Sequence, residues 1–194
     1  MGPGACPFYA AAPRTDGFES DLPSDSGKPA EPLALLHKLL PAFARPAHTH
    51  VTMHGDFELD NLRFSNEGVA IFDFDETGYG TAASDVARAT RALHGEEGAD
   101  LQPTLYGEFL NGYRSEREFT EEEEASVEAY LLDHSARRAL DSSILDEGHR
   151  PSDPLWQREL HDEILAANHW HRGKVVAAIR ELGHDPAPFE PRTY

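Results

Sequence analysis

The stretch that decides the fold is His54–Asp75, which reads HGDFELDNLRFSNEGVAIFDFD. Its middle predicts a β-hairpin, because Leu62 and Phe64 alternate with polar residues, 66–68 is an Asn-Glu-Gly turn sequence, and 69–72 is an apolar strand. A polar tripeptide lies on each side, HGD before the hairpin and DFD after it. We therefore expect the hairpin to bring these two polar loops together.

The two polar loops have the residue types and the spacing that phosphoryl transfer needs. Asp56 of HGD is followed five residues later by Asn61, and Asp73 of DFD comes twelve residues after that. In such a reaction a carboxylate orients the attacking hydroxyl, and oxygen ligands hold Mg²⁺ against the nucleotide phosphates. Protein kinases use H-R-D-x-x-x-x-N and D-F-G for these roles. The spacing predicts a catalytic loop and a metal loop of this kind, with Asn61 and Asp73 facing one ion.

The segment resembles the aminoglycoside phosphotransferase / choline kinase family of small-molecule kinases, which has HGD in place of HRD. The resemblance covers residues 48–94 and includes Glu76–Gly80 and the SDVA of 84–87, similar to the family's D-[LIV]-A element. The FLNGY of 109–113 resembles a weaker family feature. The resemblance implies an α+β, mostly helical fold: the C-terminal lobe of a protein-kinase-like fold, with a small catalytic-loop hairpin and a helical bundle.

The resemblance also implies roles for five polar residues of the two loops. Asp56 would be the catalytic carboxylate, and His54 would brace its loop. Asn61 and Asp73 would bind the nucleotide through Mg²⁺, and Asp75 would support a second ion. ATP is then the co-substrate, and the reaction is transfer of its γ-phosphoryl group to the hydroxyl of a small molecule.

Further residues are expected to support the site or to contact the substrate. By the resemblance, Gly55 and Asp85 give structural support. The family often has His at position 58 and Gly at position 60, so the acids found here depart from its pattern. A cationic substrate would suit the acidic residues that we place near its pocket: Glu58, Asp60, Asp141 and Asp146.

A kinase of this kind also needs an N-terminal lobe with a Gly-rich loop and a strand lysine. We expect no such lobe here: residues 1–31 are Pro-rich and predict a disordered tail, 32–186 form the C-lobe, and 187–194 form a second tail. The enzyme would then be incomplete without an N-lobe, supplied by a partner chain or a longer gene product. The alternative is a non-catalytic binding or interaction module, or a truncated relic of such a kinase.

Composition excludes several classes of protein. The 194 residues have 35 Asp and Glu against 17 Lys and Arg, a formal net charge of −18 and one cysteine. A disulfide scaffold and a nucleic-acid-binding surface are therefore excluded, since the first needs paired cysteines and the second a basic face. No stretch has the roughly 20 apolar residues of a membrane span. We expect a cytoplasmic protein whose partners are metal ions or small polar molecules.

Apolar spacing predicts helices for most of the remaining chain, at 32–43, 82–93 and 101–113, from Thr120 through Ile144, and from Ser152 to Gly183. Thr120 and Glu123 form a predicted capping box. Two groups of histidines offer weaker alternatives. His48, His50 and His54 could form a zinc site. The last helix has three further histidines, His161, His169 and His171. They do not share a face of the helix, and we expect them on a partly exposed surface.

Overall fold

The computed structural model describes residues 30–40, 50–140, 150 and 152–190. Four short strands lie between the first and second α-helices: β1 (His50–Met53), β2 (Leu62–Ser65), β3 (Gly68–Ile71) and β4 (Gly78–Thr81). Six helices are present in the described residues: α1 (Ala30–Leu39), α2 (Ala82–Thr90), α3 (Pro103–Glu116), α4 (Glu121–Glu124), α5 (Val127–Leu140) and α6 (Leu155–Glu181). The predicted mostly helical α+β fold is confirmed.

The predicted hairpin is formed by β2 and β3. The strands are antiparallel, with Leu62 opposite Ile71 and Ser65 opposite Gly68. Leu62 is buried, whereas the other side chains of both strands are exposed. The hairpin therefore extends from the body of the protein and is anchored at the end where the two polar loops lie.

A second pair of strands was not predicted. The segment from Gly78 to Gly80 lies in β4, which pairs antiparallel with β1. A Cβ atom at position 80 would lie 2.6 Å from Cε of Met53, so the flexible end of that side chain would have to shift to admit one. The contact that makes this segment a strand comes from residues more than 20 positions away, so the local sequence does not reveal it.

Strand β4 continues into α2 without an intervening loop. Thr81 is the last residue of the strand, and its side chain accepts a hydrogen bond from the backbone N–H of Ser84 at 3.2 Å, which caps the helix. Helix α2 then packs on α5, with Ala83, Val86 and Val127 in the shared core. The start of α2 is thereby fixed relative to both the small sheet and the helical bundle.

The helices differ from the predicted ones mainly at their ends. Helix α2 tightens to a 3₁₀ turn after Thr90. The capping box of Thr120 and Glu123 is confirmed, but the helix that it opens ends at Glu124, and α5 begins anew at Val127. Helix α6 runs through Gly173 without a break. The end of the predicted helix near residue 144 lies outside the described residues.

The second part of the core joins α1, α5 and α6. Leu36, Val175, Ile179 and Phe189 are fully buried there. Phe189 belongs to the segment that we expected to be a tail; it lies in a 3₁₀ turn, and its carbonyl accepts a hydrogen bond from Arg172 at 3.0 Å. None of the described helices is both long enough and apolar enough to cross a lipid bilayer.

An ion network ties α1 to α5. The Asp133 carboxylate lies 2.7 Å from Nε2 of His37 and accepts a hydrogen bond from Nε of Arg137 at 2.9 Å. Burial opposes ionisation of this carboxyl group, but the hydrogen bonds and charges of His37 and Arg137 outweigh it and hold the pKa of Asp133 below its ordinary value. The network is therefore strongest when Asp133 is ionised.

Candidate active site

The HGD loop follows β1 and is held by the start of α2. The Asp85 carboxylate accepts hydrogen bonds from the backbone N–H of Gly55 at 3.0 Å and of His54 at 3.3 Å. Asp85 lies in the first turn of α2, four residues after its N-cap Thr81. Two backbone donors are thus bound by one carboxylate, as expected for a residue that supports the loop.

Gly55 is the residue that lets the loop turn. Its φ is +86°, in the left-handed region, and a Cβ atom there would lie 2.2 Å from the backbone oxygen of Glu76. Glu76 belongs to the loop that follows DFD, so the two polar loops touch at this point. Only glycine satisfies both the backbone angle and the close approach.

His54 braces the same pair of loops through both ring nitrogens. Nδ1 accepts a hydrogen bond from the backbone N–H of Asp56 at 3.3 Å, and Nε2 lies 3.1 Å from the carbonyl oxygen of Phe72, to which it donates in that tautomer. Its ring also packs against Phe74, with ring centres 4.6 Å apart. The predicted bracing contact is thus present in the structure, and it reaches across to the residue before Asp73.

Asn61 joins the Asp56 carboxylate to the base of the hairpin. Its amide nitrogen donates to the backbone oxygen of Asp56 at 2.8 Å and to Oδ2 of the same residue at 3.2 Å. Its backbone carbonyl accepts from the N–H of Phe72 at 3.2 Å. Asn61 is buried, whereas the Asp56 side chain is 39% exposed. The carboxylate is therefore held at one oxygen and remains accessible from solvent.

The two acids of DFD lie on the surface beside this group. Asp73 and Asp75 are both exposed, and Asp73 has a φ of +63°. Asp73 directly follows Phe72, whose backbone is hydrogen-bonded to both the ring of His54 and the backbone of Asn61.

Two arginines that were not among the predicted site residues also contact the loop: Arg88 of α2, and Arg91 at the start of the 3₁₀ turn that follows α2. Arg88 donates a hydrogen bond to the backbone oxygen of Gly55. Arg91 forms an ion pair with Glu58, and one of its terminal nitrogens lies 3.9 Å from Oδ1 of Asp56. The available signal was the position of Arg88 three residues after Asp85, which places it beside Asp85 on α2; Arg91 follows three residues later.

Of the four acids expected near the substrate, the structure describes Glu58 and Asp60. Glu58 forms an ion pair with Arg91, so its negative charge is already partly neutralised and attracts a cationic ligand less strongly. Asp60 is exposed, on the short turn that precedes β2. Asp141 and Asp146 lie outside the described residues.

The zinc alternative built on His54 is not supported by the geometry, because both ring nitrogens of this histidine already face hydrogen-bonding groups. His50 stacks on Tyr79, with ring centres 5.5 Å apart, and His48 lies outside the described residues. The expectation of a partly exposed surface was wrong for His171, which is 1% exposed. The other two histidines of α6 follow the expectation more closely: His169 is exposed and His161 is half-buried.

Comparison with known proteins gives the family of the chain. The family model described as "Phosphotransferase enzyme family" matches residues 6–124, a range that contains both polar loops, the hairpin and α2. The chain belongs to this phosphotransferase enzyme family. The predicted resemblance to aminoglycoside phosphotransferases is thereby confirmed. No curated protein matches the chain.

A solved structure shows the same fold. Amicoumacin kinase hAmiN, in complex with AMP-PNP, Ca²⁺ and Ami, superposes with a TM-score of 0.56 at 15% sequence identity. The match covers 81% of this chain and 51% of that kinase, so the chain spans about half the length of its structural relative. The predicted protein-kinase-like fold is confirmed by this likeness.

Proposed function

We propose that this chain carries the catalytic and metal loops of an ATP-dependent small-molecule kinase that phosphorylates a hydroxyl group. The observation that carries the proposal is the pair formed by Asn61 and Asp56, in which the amide nitrogen holds the backbone and the carboxylate of Asp56 at 2.8 and 3.2 Å. Family membership and the fold of the related amicoumacin kinase, solved with AMP-PNP, support it. As expected from the sequence, the N-lobe would come from a partner chain or a longer product.

Asp56 is assigned the role of orienting the acceptor hydroxyl. Its carboxylate is 39% exposed and is fixed by Asn61 on one side and by the nearby Arg91 on the other. In the reaction the hydroxyl oxygen forms a bond to the γ-phosphorus, the bond from that phosphorus to the bridging oxygen of ADP breaks, and the hydroxyl proton passes to Asp56. Catalysis comes mainly from positioning, which needs the rigid loop described above.

Asn61 and Asp73 fit a magnesium ion. Because the Asn61 amide nitrogen binds Asp56, its amide oxygen is the atom left to offer a cation, and Asp73 and Asp75 add exposed carboxylate oxygens nearby. Mg²⁺ prefers oxygen ligands of this kind. When bound, the ion would neutralise charge on the nucleotide phosphates. We assign Asn61 and Asp73 to one ion and Asp75 to the support of a second.

The metal assignment is tested by Mn²⁺ binding, followed by electron paramagnetic resonance with and without AMP-PNP. We expect nucleotide-dependent Mn²⁺ binding by the chain and its loss in Asp73→Asn. Glu67→Gln is the matched control, because it removes one exposed acid from the hairpin turn and should leave binding intact. Equal binding by wild type and Asp73→Asn would overturn the assignment.

The catalytic assignment is tested by phosphoryl transfer from radiolabelled ATP to a panel of alcohols, including aminoglycosides, choline and homoserine. Turnover by the chain alone is expected to be slow, because a clamp for the nucleotide is missing from the predicted C-lobe. Asp56→Asn should abolish transfer to any acceptor that the wild type uses, while its unfolding curve stays cooperative. Transfer by Asp56→Asn at the wild-type rate would refute the role. Nucleotide binding that needs no metal ion and is not followed by phosphoryl transfer would favour the non-catalytic interaction module instead.

A further inference from the structure

A cluster of ligand-type side chains lies on the far side of Arg91 from the HGD loop. Glu96 follows α2, His134 lies on α5 and His171 on α6, and one ligand atom from each lies within 4.8 Å of the others. Nε2 of His134 is 3.2 Å from Oε1 of Glu96, and Nε2 of His171 is 3.8 Å from the same oxygen. Two histidines from different helices therefore face the same oxygen atom of Glu96.

His171 is the buried member of this cluster and has an unsatisfied nitrogen. The residue is 1% exposed, and its Nδ1 lies 3.1 Å from Oγ of Ser135. Its Nε2 has no hydrogen-bond partner, although carboxylate oxygens of Glu96 and Glu97 lie 3.8 and 3.4 Å away. An orphaned buried nitrogen is costly unless something binds it.

The hydrogen bonding of His171 leaves one ring nitrogen free to bind a cation. If Nδ1 carries the proton and donates to Ser135, the lone pair of Nε2 points toward two carboxylates. A neutral imidazole nitrogen is the form that binds metals, and its second nitrogen commonly donates to a neighbouring group in such sites.

The backbone of the loop after α2 is shaped to bring its acids to this point. Glu97 has a φ of +53° and lies between Gly95 and Gly98, with φ values of +76° and +86°. Oε1 of Glu97 lies 3.4 Å from Nε2 of His171, so this turn brings a second acid close to the buried histidine.

We propose that Glu96, His134 and His171 form a binding site for a divalent transition-metal ion of the Zn²⁺ class. Tetrahedral ligands at zinc bond lengths lie about 3.3 Å apart, close to the 3.2 and 3.8 Å separations from Oε1 of Glu96. Two imidazoles and one carboxylate favour zinc over Mg²⁺ or Ca²⁺, which take oxygen ligands. Glu97 or water completes the coordination.

The other oxygen of Glu96 links this site to the catalytic loop. Oε2 accepts from Nε of Arg91 at 3.0 Å, and the same guanidinium pairs with Glu58 and lies 3.9 Å from Asp56. Arg91 therefore orients the ligating carboxylate from outside the first coordination sphere. A metal ion here would stabilise the position of Arg91 without touching the phosphoryl-transfer residues.

The experiment is a titration of the untagged protein with Zn²⁺ by calorimetry and with Co²⁺ by visible absorption, without nucleotide. We expect one equivalent to bind, tetrahedral Co²⁺ bands to develop, and the melting temperature to rise with Zn²⁺. Glu96→Gln and His134→Asn should each weaken binding at least tenfold. His169→Gln is the control: it removes an exposed histidine two residues from His171 on the same helix and should bind as wild type does.

Glu96 and His134 are used because both are only partly buried, so their variants are expected to fold, which circular dichroism checks. The proposal is overturned if wild type binds no Zn²⁺, or if folded Glu96→Gln and His134→Asn bind it as tightly as wild type does. Because no nucleotide is present, this result is independent of the kinase proposal. A protein that binds zinc but shows no transfer activity leaves the zinc proposal standing.

Discussion

Replacing Gly55 with alanine tests whether the contact between the two polar loops is as close as the structure shows. The new Cβ atom would lie 2.2 Å from the backbone oxygen of Glu76, 2.8 Å from its carbonyl carbon and 2.9 Å from its Cβ atom. Two of these are backbone atoms, so no side-chain rotation relieves the contact. The loops would have to separate, and Asp56, the next residue, would move with them.

The expected loss of stability has two parts. A left-handed φ costs alanine about 1–2 kcal/mol relative to glycine. Forcing a methyl group into a packed site costs about 1–3 kcal/mol more. The sum is about 2–5 kcal/mol in the free energy of unfolding, a large share of the roughly 5–15 kcal/mol that holds a typical domain together.

Gly98→Ala is the matched control, because Gly98 has the same φ of +86° but nothing within 4 Å of an added Cβ atom. It should show only the backbone part of the loss. Urea unfolding monitored by circular dichroism would measure both variants. If Gly55→Ala costs no more than Gly98→Ala, the contact with Glu76 is looser than described and the reasoning about the joined loops fails.

Three further predictions concern stability, and all are measured by urea unfolding. Gly112→Ala should stabilise the protein by about 0.5–1 kcal/mol, because this glycine lies within α3 with open space around it; a loss would contradict that environment. Ile179→Ala should cost about 2–5 kcal/mol, since the side chain is fully buried, and Leu182→Ala, at 44% exposure, should cost clearly less. Asp133→Asn should cost about 1–3 kcal/mol at pH 7. The lowered pKa of Asp133 means that its contribution is present above its ordinary value of 3.8 and is lost as the pH falls through the folded value, so the two proteins should converge in acid.

The hairpin and the polar loop before it could be predicted from the sequence because their signal is local. HGD, Asn61 and the hairpin turn at 66–68 all lie within 15 residues, and each has a defined backbone or chemical preference. Asp85 could be identified for a similar reason, because it belongs to the SDVA motif near the start of a predicted helix. The structure added the partners: the two backbone N–H groups that Asp85 accepts from.

The parts that could not be predicted depend on contacts between distant segments. Strand β4 is rich in glycine, and only its pairing with β1 makes it a strand. Arg91 is one of several arginines on a helix until the fold places Glu58, Asp56 and Glu96 around it. His171 was judged against histidines of its own helix, but its partners come from two other elements, 37 and 75 residues earlier in the chain.

The bond between Asp85 and the backbone of Gly55 closes a loop of 30 residues, with the β2–β3 turn at its outer tip. The entropy of closing such a loop grows only with the logarithm of its length, so ten extra residues at the exposed turn would add about 0.3 kcal/mol. Asn66 and Glu67 are exposed there and lie outside the paired strands. The turn is therefore a suitable place to insert an epitope or a fluorescent reporter, which would leave the hydrogen bond between Gly55 and Asp85 at the base of the loop unchanged.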